Sequence, residues 1–189
     1  LPIKKKMEIK KTNINDCFII IPKKNYDTRG SFHRSYCENI LKKKKINFKL
    51  KQCNISINLK KGTIRGFHYQ SKPYTENKII GIMSGSIYNV IIDLRKESKT
   101  FLKKFTYKLK VETSKLLFVP AGCANAFLTT SNNTIIHYYM DSFFEKENKK
   151  NYKGFLFNDN YFNIKWPIKV EKISKKDKSY KAFSLKDLK

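Results

Sequence analysis

The sequence has few histidines and no closely spaced cysteine pairs. Its 189 residues include only His33, His68 and His137, with no His-x-His pair. A metal site normally needs three or four converging histidine, cysteine or carboxylate ligands, so we predict no metal cofactor. The four cysteines are widely spaced and form no Cys-x-x-Cys motif. This spacing predicts free thiols in a reducing cytoplasm.

Long apolar runs and common catalytic motifs are also missing. No segment approaches the roughly 20 apolar residues of a membrane-spanning helix, and the basic start never reaches the apolar run of a secretory signal. The sequence has no Gly-x-Ser-x-Gly elbow, no P-loop and no Gly-x-Gly-x-x-Gly fingerprint. Serine hydrolases, P-loop NTPases and dinucleotide enzymes therefore lack support. We expect a cytoplasmic protein with no membrane partner.

Basic residues are abundant, but almost all of them are lysine. Lysine and arginine number 41 against 15 acidic residues, which gives a formal charge of +26, yet only four of the 41 are arginine. Arginine is the usual bidentate reader of phosphate and guanine, so a nucleic-acid binder should use more of it. We interpret the charge as a solvated basic surface and expect no nucleic-acid partner. Such a surface still steers an anionic small substrate toward the protein.

Closely spaced strands dominate the pattern, with one short helix over 38–45. Apolar β-branched runs bounded by turn residues predict a strand ending at Ile21, a second over 31–36 and eight more. The eight cover residues 51–58, 62–70, 78–84, 86–94, 103–111, 115–119, 124–130 and 134–139. This spacing favours an antiparallel sandwich or barrel of jelly-roll type over alternating βα units. We predict one domain over 1–189, in which 1–6 is an atypical start and 144–189 packs on the barrel.

Candidate catalytic groups are concentrated between residues 61 and 78. If this segment is a regular strand, His68 faces one side of the sheet and Arg65 the other, and Gly66 between them leaves room for a strand bend or for close approach by a ligand. From the residues alone, His68 is either a buried core histidine or a general base. Lys78 is either one more surface lysine or a cation facing an oxyanion, and Tyr138 is either a packed ring or an acid.

Eight short strings, taken in order, form a distinctive set. They are DTRGSF at 27–32, QCNIS at 52–56, KGTIRGFHYQ at 61–70, YNVIIDLR at 88–95, FVPAGCANAF at 118–127, YY at 138–139, FND at 157–159 and IKWP at 164–167. This set resembles the nucleotide-sugar 3,5-epimerases of the cupin superfamily, the dTDP-4-dehydrorhamnose 3,5-epimerase family. The resemblance implies an all-β cupin or jelly-roll barrel with short flanking helices.

The resemblance also implies a reaction and its catalytic residues. It implies an isomerase that inverts C3, C5 or both in a nucleotide-linked 4-keto-6-deoxy sugar, for surface polysaccharide such as capsule or O-antigen. His68 would remove the proton beside the ketone, with Asp177 as its carboxylate partner. Lys78 would face the enolate oxygen, and Tyr138 would return a proton on the opposite face. No metal or organic cofactor is implied.

Further positions match residues that bind the nucleotide sugar in the family. They are Arg29, Phe32, Gln52, Asn54 and Arg65. Asn125 is a sixth substrate-binding candidate, although it does not match the residue that the family has there. In the family the counterparts of Arg29 and Phe32 come from the neighbouring subunit, so the resemblance implies a homodimer.

Two positions depart from the family pattern. Asn125 stands where the family usually has histidine, and Arg34 stands where many members have a carboxylate. Asn125 can form hydrogen bonds but cannot carry a proton at neutral pH. The substrate is therefore open between dTDP and GDP, between hexose and heptose, and between one and two inverted centres. The alternatives are a 3,4-ketoisomerase and a catalytically silent cupin that binds sugar or nucleic acid.

Overall fold

The computed structural model describes residues 7–144 and 151–188. The atypical start predicted at 1–6 lies outside the described residues, as do 145–150 and 189 of the predicted C-terminal segment. The strands are β1 (Glu8–Lys11), β2 (Phe18–Ile21), β3 (Lys24–Asp27), β4 (Gly30–His33), β5 (Gln52–Asn58), β6 (Ile64–Gln70), β7 (Lys78–Ser84), β8 (Ser86–Asp93), β9 (Lys104–Lys110), β10 (Leu116–Val119), β11 (Cys123–Thr129), β12 (Thr134–Met140) and β13 (Tyr152–Gly154). The helices are α1 (Glu38–Lys43) and α2 (Lys175–Lys178), and no helix in the described ranges is long and apolar enough to cross a membrane.

These strands form two large sheets and one separate hairpin. The six-stranded sheet has the order β1-β2-β10-β7-β12-β5, and the five-stranded sheet has the order β13-β6-β11-β8-β9. Strands β3 and β4 pair only with each other among the described residues. The pairings within all three sheets are antiparallel. The predicted all-β, antiparallel fold is confirmed.

The main core lies between the two large sheets. The six-stranded sheet contributes Ile80, Ile82, Leu117 and Ile136, and the five-stranded sheet contributes Ile87, Ile91, Leu109 and Phe127. Alternate residues of each strand point inward, as expected for two sheets that each bury one face. Each buried aliphatic side chain stabilises the fold by about 1.5–3 kcal/mol relative to exposure.

The two ends of the chain cover the outer faces of the sheets. On the six-stranded sheet, Leu41 of α1 packs in one cluster with Ile79. On the five-stranded sheet, the ring of Phe155 stacks on that of Phe67, with 4.8 Å between ring centroids. Docking of the C-terminal segment places α2, which carries Asp177, against β6.

Four short strands differ from the sequence prediction. No strand was predicted between Ile21 and residue 31, but β3 forms there and pairs with β4 in a hairpin, and the strand predicted over 31–36 ends at His33. Strand β1 was not predicted because its only apolar residue is Ile9, and its extended form depends on pairing with β2. Strand β13 was missed for the same reason, since it exists through pairing with β6.

Candidate active site

Strand β6 carries His68 and contains a β-bulge. In its pairing with β11, His68 lies opposite Asn125 and Arg65 lies opposite Phe127. Three steps along β6 therefore match two steps along β11, so β6 holds one extra residue here. Arg65 and His68 consequently line the same cavity. The prediction that they lie on opposite pleats was wrong, because it assumed a regular strand.

Gly66 meets two requirements of this bulge. Its φ is +109°, a conformation that residues with a side chain rarely adopt. A Cβ atom here would lie 2.5 Å from the carbonyl oxygen of Asn125 and 2.8 Å from Cα of Ala126. The Gly66 N–H also donates a hydrogen bond of 3.2 Å to Oδ2 of Asp177. Any larger residue would push β6 away from β11.

Asp177 is held beside His68 in a nearly closed environment. Its Oδ1 lies 2.8 Å from Nε2 of His68, and its side chain is 5% exposed. Its N–H donates to Oγ of Ser174, the N-cap of α2, over 2.9 Å. Although burial alone would raise it, the pKa of Asp177 is lowered, because hydrogen bonds from His68 and Gly66 favour the carboxylate. Asp177 is therefore ionised at neutral pH.

The ionised Asp177 fixes the tautomer of a neutral His68. A carboxylate can only accept a hydrogen bond, so Nε2 of His68 carries the hydrogen. Nδ1 then keeps the lone pair that a general base needs. Because the His68 side chain is 40% exposed and lines the cavity, the imidazole is oriented by Asp177 and open to a bound molecule.

Two cavities of about 840 Å³ and 270 Å³ adjoin, since both are lined by Arg65, His68 and Lys78. We call the larger one the outer part of the site and the smaller one, which Asn125 and Tyr138 also line, the inner part. Eight of the ten predicted site residues line one part or the other: Gln52, Asn54, Arg65, His68, Lys78, Asn125, Tyr138 and Asp177. His68 comes from the five-stranded sheet, whereas Lys78 and Tyr138 come from the six-stranded sheet. A molecule in the inner part therefore contacts groups from both sheets.

Tyr138 lines the inner cavity and is protonated. It lies on β12, between Asn54 of β5 and Ile80 of β7. Burial raises the pKa of Tyr138, while the charge of Arg65 and the Ser56 hydroxyl oppose that rise. The phenol keeps its proton at neutral pH and can donate it to a carbanion.

Arg65 offers a cation to the cavity. Its Nε donates a hydrogen bond of 2.9 Å to Oδ1 of buried Asn58. In the part of the chain that the structure describes, its guanidinium forms no ion pair. The Nη groups can therefore bind an anionic ligand.

Asn125 presents an acceptor to the inner cavity. Its Nδ2 donates to Oδ1 of Asn89 and to the carbonyl of Val90, each over 3.0 Å. The Val90 carbonyl fixes the orientation of the amide, because only the NH₂ group can donate to it. Both N–H bonds are then used, and Oδ1 is left for a hydroxyl group of a ligand.

Gln52 and Asn54 lie on edge strand β5, at the border of the cavity. Their amide nitrogens lie 3.6 Å and 3.2 Å from Sδ of Met140. The amide oxygen of Gln52 also accepts a hydrogen bond of 2.8 Å from the N–H of Phe144. These two side chains give this border an uncharged, polar character.

Arg29 and Phe32 do not line the cavity of their own chain. They lie on the β3–β4 hairpin, where Phe32 is 74% exposed and Arg29 forms an ion pair of 2.7 Å with Asp27. Arg34, which follows the hairpin, is exposed as well. The hairpin therefore presents these side chains to solvent or to another molecule.

Sequence reasoning missed several residues of the outer cavity. They are Glu76, Tyr152, Lys153, Lys172, Lys176 and Tyr180. Nothing in the sequence distinguishes Lys153 and Lys172 from the other lysines of the chain. Lys176 could have been noticed because it precedes Asp177. Together with Arg65 and Lys78, they make the cavity wall mainly cationic and suited to an anion. In residues 7–144 and 151–188, no three histidine, cysteine or acidic side chains form a group that could hold a metal ion.

Residues 11–185 match the family model described as dTDP-4-dehydrorhamnose 3,5-epimerase. The chain belongs to this family. The resemblance found in the sequence is confirmed, and with it the assignment to a family of isomerases. The same-named enzyme of Shigella flexneri is 33% identical over 174 residues, which are 90% of this chain and 93% of the relative.

Solved structures of family members share the fold. The dTDP-4-dehydrorhamnose 3,5-epimerase of Bacillus anthracis, solved with TDP and PPi bound, superposes with a TM-score of 0.88 at 34% identity, covering 94% of this chain and 99% of the other. The Legionella pneumophila enzyme, solved with dTDP-4-keto-L-rhamnose, gives a TM-score of 0.85 at 29% identity, covering 93% and 92%. The jelly-roll, cupin-type barrel predicted from the sequence is confirmed.

Proposed function

We propose that this protein epimerises a dTDP-linked 4-keto-6-deoxy sugar at C3, at C5 or at both. One observation carries the proposal. The His68–Asp177 pair lies in one wall of a cavity whose other wall holds Tyr138 and Lys78. A base and an acid on opposite sides of a sugar ring are what inversion of a carbon centre requires.

In the first step, Nδ1 of His68 takes the proton from the carbon beside the C4 ketone. The electrons of that C–H bond move to the ketone oxygen and form an enolate. The imidazolium is stabilised by Asp177, whose carboxylate lies 2.8 Å from Nε2. The ammonium group of Lys78 stabilises the enolate oxygen, and such stabilisation makes the abstraction accessible to a histidine base.

In the second step, Tyr138 donates its phenolic proton to the same carbon from the other face. The enolate electrons form the new C–H bond, and the centre is inverted. The positive charge of Arg65, which already acts on Tyr138 in the free protein, stabilises the phenolate that remains. Solvent protons then restore Tyr138, and His68 loses its proton to solvent.

The nucleotide diphosphate is assigned to the outer cavity. Arg65 and the lysines of the outer wall supply positive charge, and a solved relative at 34% identity has TDP and PPi bound. Gln52 and Asn54, on the border of the cavity, are placed to contact the nucleotide or the sugar. We assign the acceptor of Asn125 to the sugar.

The active unit proposed here is a homodimer. Arg29 and Phe32 lie on an exposed hairpin, from which they would reach the site of a second copy. Ile55, Ile57 and Met83 are more than half exposed on strands β5 and β7, and an apolar surface of this kind suits an interface.

The four cysteines carry free thiols, in keeping with the reducing cytoplasm to which we assign the enzyme.

The test is proton NMR of dTDP- and GDP-linked 4-keto sugars incubated with the protein in D₂O. We expect deuterium at C3, or at C3 and C5, of the dTDP sugar, and no deuterium with a His68→Asn control. A GDP-linked sugar that exchanges faster would change the nucleotide assignment and leave the chemistry in place. A product whose ketone has moved to C3 would indicate a ketoisomerase. A folded protein that exchanges no substrate but binds polyanions at low salt would overturn the proposal.

A further inference from the structure

Glu76 is a buried carboxylate in the wall of the outer cavity, and the proton-transfer steps do not use it. Its side chain is 2% exposed, and Oε1 lies 2.7 Å from Nζ of Lys78. This contact is an ion pair without hydrogen-bond geometry, since neither oxygen of Glu76 has a hydrogen-bond partner among the described residues. The charge of Glu76 is therefore balanced by Lys78.

The backbone holds these two side chains on the same side. Lys78 is the first residue of β7, and Glu76 lies two positions before it, outside the strand. Asn77 between them is fixed by three hydrogen bonds. Its N–H and Nδ2 donate to Asp141 over 2.8 and 2.6 Å, and its Oδ1 accepts from the N–H of Ala121 over 2.8 Å. The geometry of the pair is therefore built into the fold.

Stability alone does not account for a carboxylate at this position. Burying an ion pair costs desolvation free energy, and replacing both partners of a buried pair by neutral side chains of similar size is often as good or better. The hydroxyl of Tyr152 is also buried without a partner, and burial together with the charge of Glu76 raises the pKa of Tyr152 to about 12. An acidic group that is unfavourable for folding and faces a reaction cavity points to a role in the reaction.

We propose that Glu76 is a positioning residue for Lys78. Its carboxylate holds the ammonium group at the cavity wall by charge attraction, so that the N–H bonds of Lys78 are available to the substrate oxygen that becomes the enolate. Without Glu76, the flexible lysine side chain samples other rotamers, and fewer of them place Nζ at the oxygen. This inference rests on the proposed function, in which Lys78 stabilises that enolate.

The test is a double-mutant cycle of Glu76→Gln, Lys78→Met and the double variant, with deuterium exchange giving kcat and KM. We expect Glu76→Gln to lower kcat about 10-fold with KM changed less than about twofold, because the loss is confined to the transition state. In the Lys78→Met background, Glu76→Gln should change kcat less than about twofold, because the group it positions is gone. A purely structural role would instead multiply the two losses.

The proposal is overturned if Glu76→Gln keeps the kcat of the wild type, or if the losses multiply. Should the Glu76→Gln single variant fail to fold, the double variant, which buries no charge at this pair, is compared with Lys78→Met for the same decision. The outcome is separate from that of the proposed function. An inactive wild type refutes the epimerase, whereas an active wild type with an equally active Glu76→Gln variant refutes only the positioning role.

Discussion

His68 and Asp177 are 109 positions apart in the chain, yet Nε2 of one lies 2.8 Å from Oδ1 of the other. The contact exists because the C-terminal segment folds back over the five-stranded sheet and places α2 against β6. The second carboxylate oxygen accepts from the backbone of Gly66 in the bulge of the same strand. The side chain of Asp177, from the C-terminal segment, therefore fixes both the imidazole of His68 and the bulge of β6 at Gly66.

Replacement of Asp177 by asparagine should disable the base. The amide can present its NH₂ group to Nε2 of His68 and so select the wrong tautomer, and it cannot balance the imidazolium. We expect kcat to fall about 100-fold or more, with nucleotide binding measured by calorimetry nearly unchanged. Loss of binding equal to the loss of kcat would contradict this role and indicate a collapsed site.

The same pair predicts a pH dependence of stability. The pKa of Asp177 is lowered in the folded protein, so its stabilising effect is present above the ordinary aspartate pKa of about 3.9 and is lost as the pH falls through the lower, folded value. The wild type should therefore unfold at higher urea than Asp177→Asn at neutral pH. This difference should shrink below about pH 4. A difference that stays constant down to about pH 2 would contradict the assignment.

Replacement of Tyr138 by phenylalanine should separate proton removal from inversion. The variant keeps His68, Asp177 and Lys78, so it still forms the enolate, but it has no acid on the opposite face. We expect deuterium to enter the substrate with retained configuration, because His68 returns the proton to the face from which it was taken. NMR coupling constants of the sugar ring distinguish the two configurations. Efficient inversion by Tyr138→Phe would remove Tyr138 from the mechanism.

Replacement of Gly66 by alanine should be much more damaging than the same change at Gly30. Both glycines have positive φ, +109° and +129°, but a Cβ at position 66 meets β11 backbone atoms at 2.5 and 2.8 Å, whereas at position 30 nothing lies within 4 Å. Gly30→Ala therefore measures the cost of a positive φ alone, which we expect to lower the free energy of unfolding by about 1 kcal/mol. We expect Gly66→Ala to lower the free energy of unfolding, measured with urea, by about 2 kcal/mol more than Gly30→Ala does. Equal decreases in the free energy of unfolding would contradict this prediction and show that β11 can move away from a Cβ at position 66 without destabilising the fold.

The sequence predicted most of the strands because the core strands either alternate apolar and polar residues or consist of continuous apolar runs. Gly66 allowed a bend in β6, but a glycine alone does not separate a bulge from a site of close ligand approach, so the facing of Arg65 and His68 was predicted wrongly. The short strands β1 and β13 depend on partners distant in the chain. Glu76 and the cavity lysines other than Lys78 were not predicted either, because their position in the cavity wall depends on how the C-terminal segment and residues 71–77 fold against the sheets.

Asn125 should be tested with sugars that differ by one hydroxyl group. Its Oδ1 is the polar atom left to face the inner cavity, because both N–H bonds are used by Asn89 and Val90. We expect Asn125→Ala to lower kcat/KM about 10-fold for the hydroxylated sugar and much less for the deoxy analogue. Asn125→Gln, which keeps both the amide donor and an acceptor, is the matched control. Equal losses for the two sugars would indicate that Asn125 supports only the fold.

The assignment of Arg29 to a neighbouring site can be tested by mixing two defective variants. Arg29 and Phe32 lie on an exposed hairpin away from their own cavity, so in a dimer each Arg29 would serve the partner. Arg29→Ala and His68→Asn should each be weakly active alone. When the two are unfolded and refolded together, half of the dimers are mixed, and each mixed dimer has one site with an intact His68 and an intact Arg29.

Random pairing therefore predicts recovery of about a quarter of the wild-type activity. Light scattering on the same samples establishes the dimer independently. Activity that never exceeds the sum of the two parents, in samples that do form mixed dimers, would place Arg29 in its own subunit's site or outside both. The matched control is a mixture of His68→Asn with Tyr138→Phe. Both residues line the same cavity of one chain, so each mixed dimer has two damaged sites, and no epimerisation should be restored.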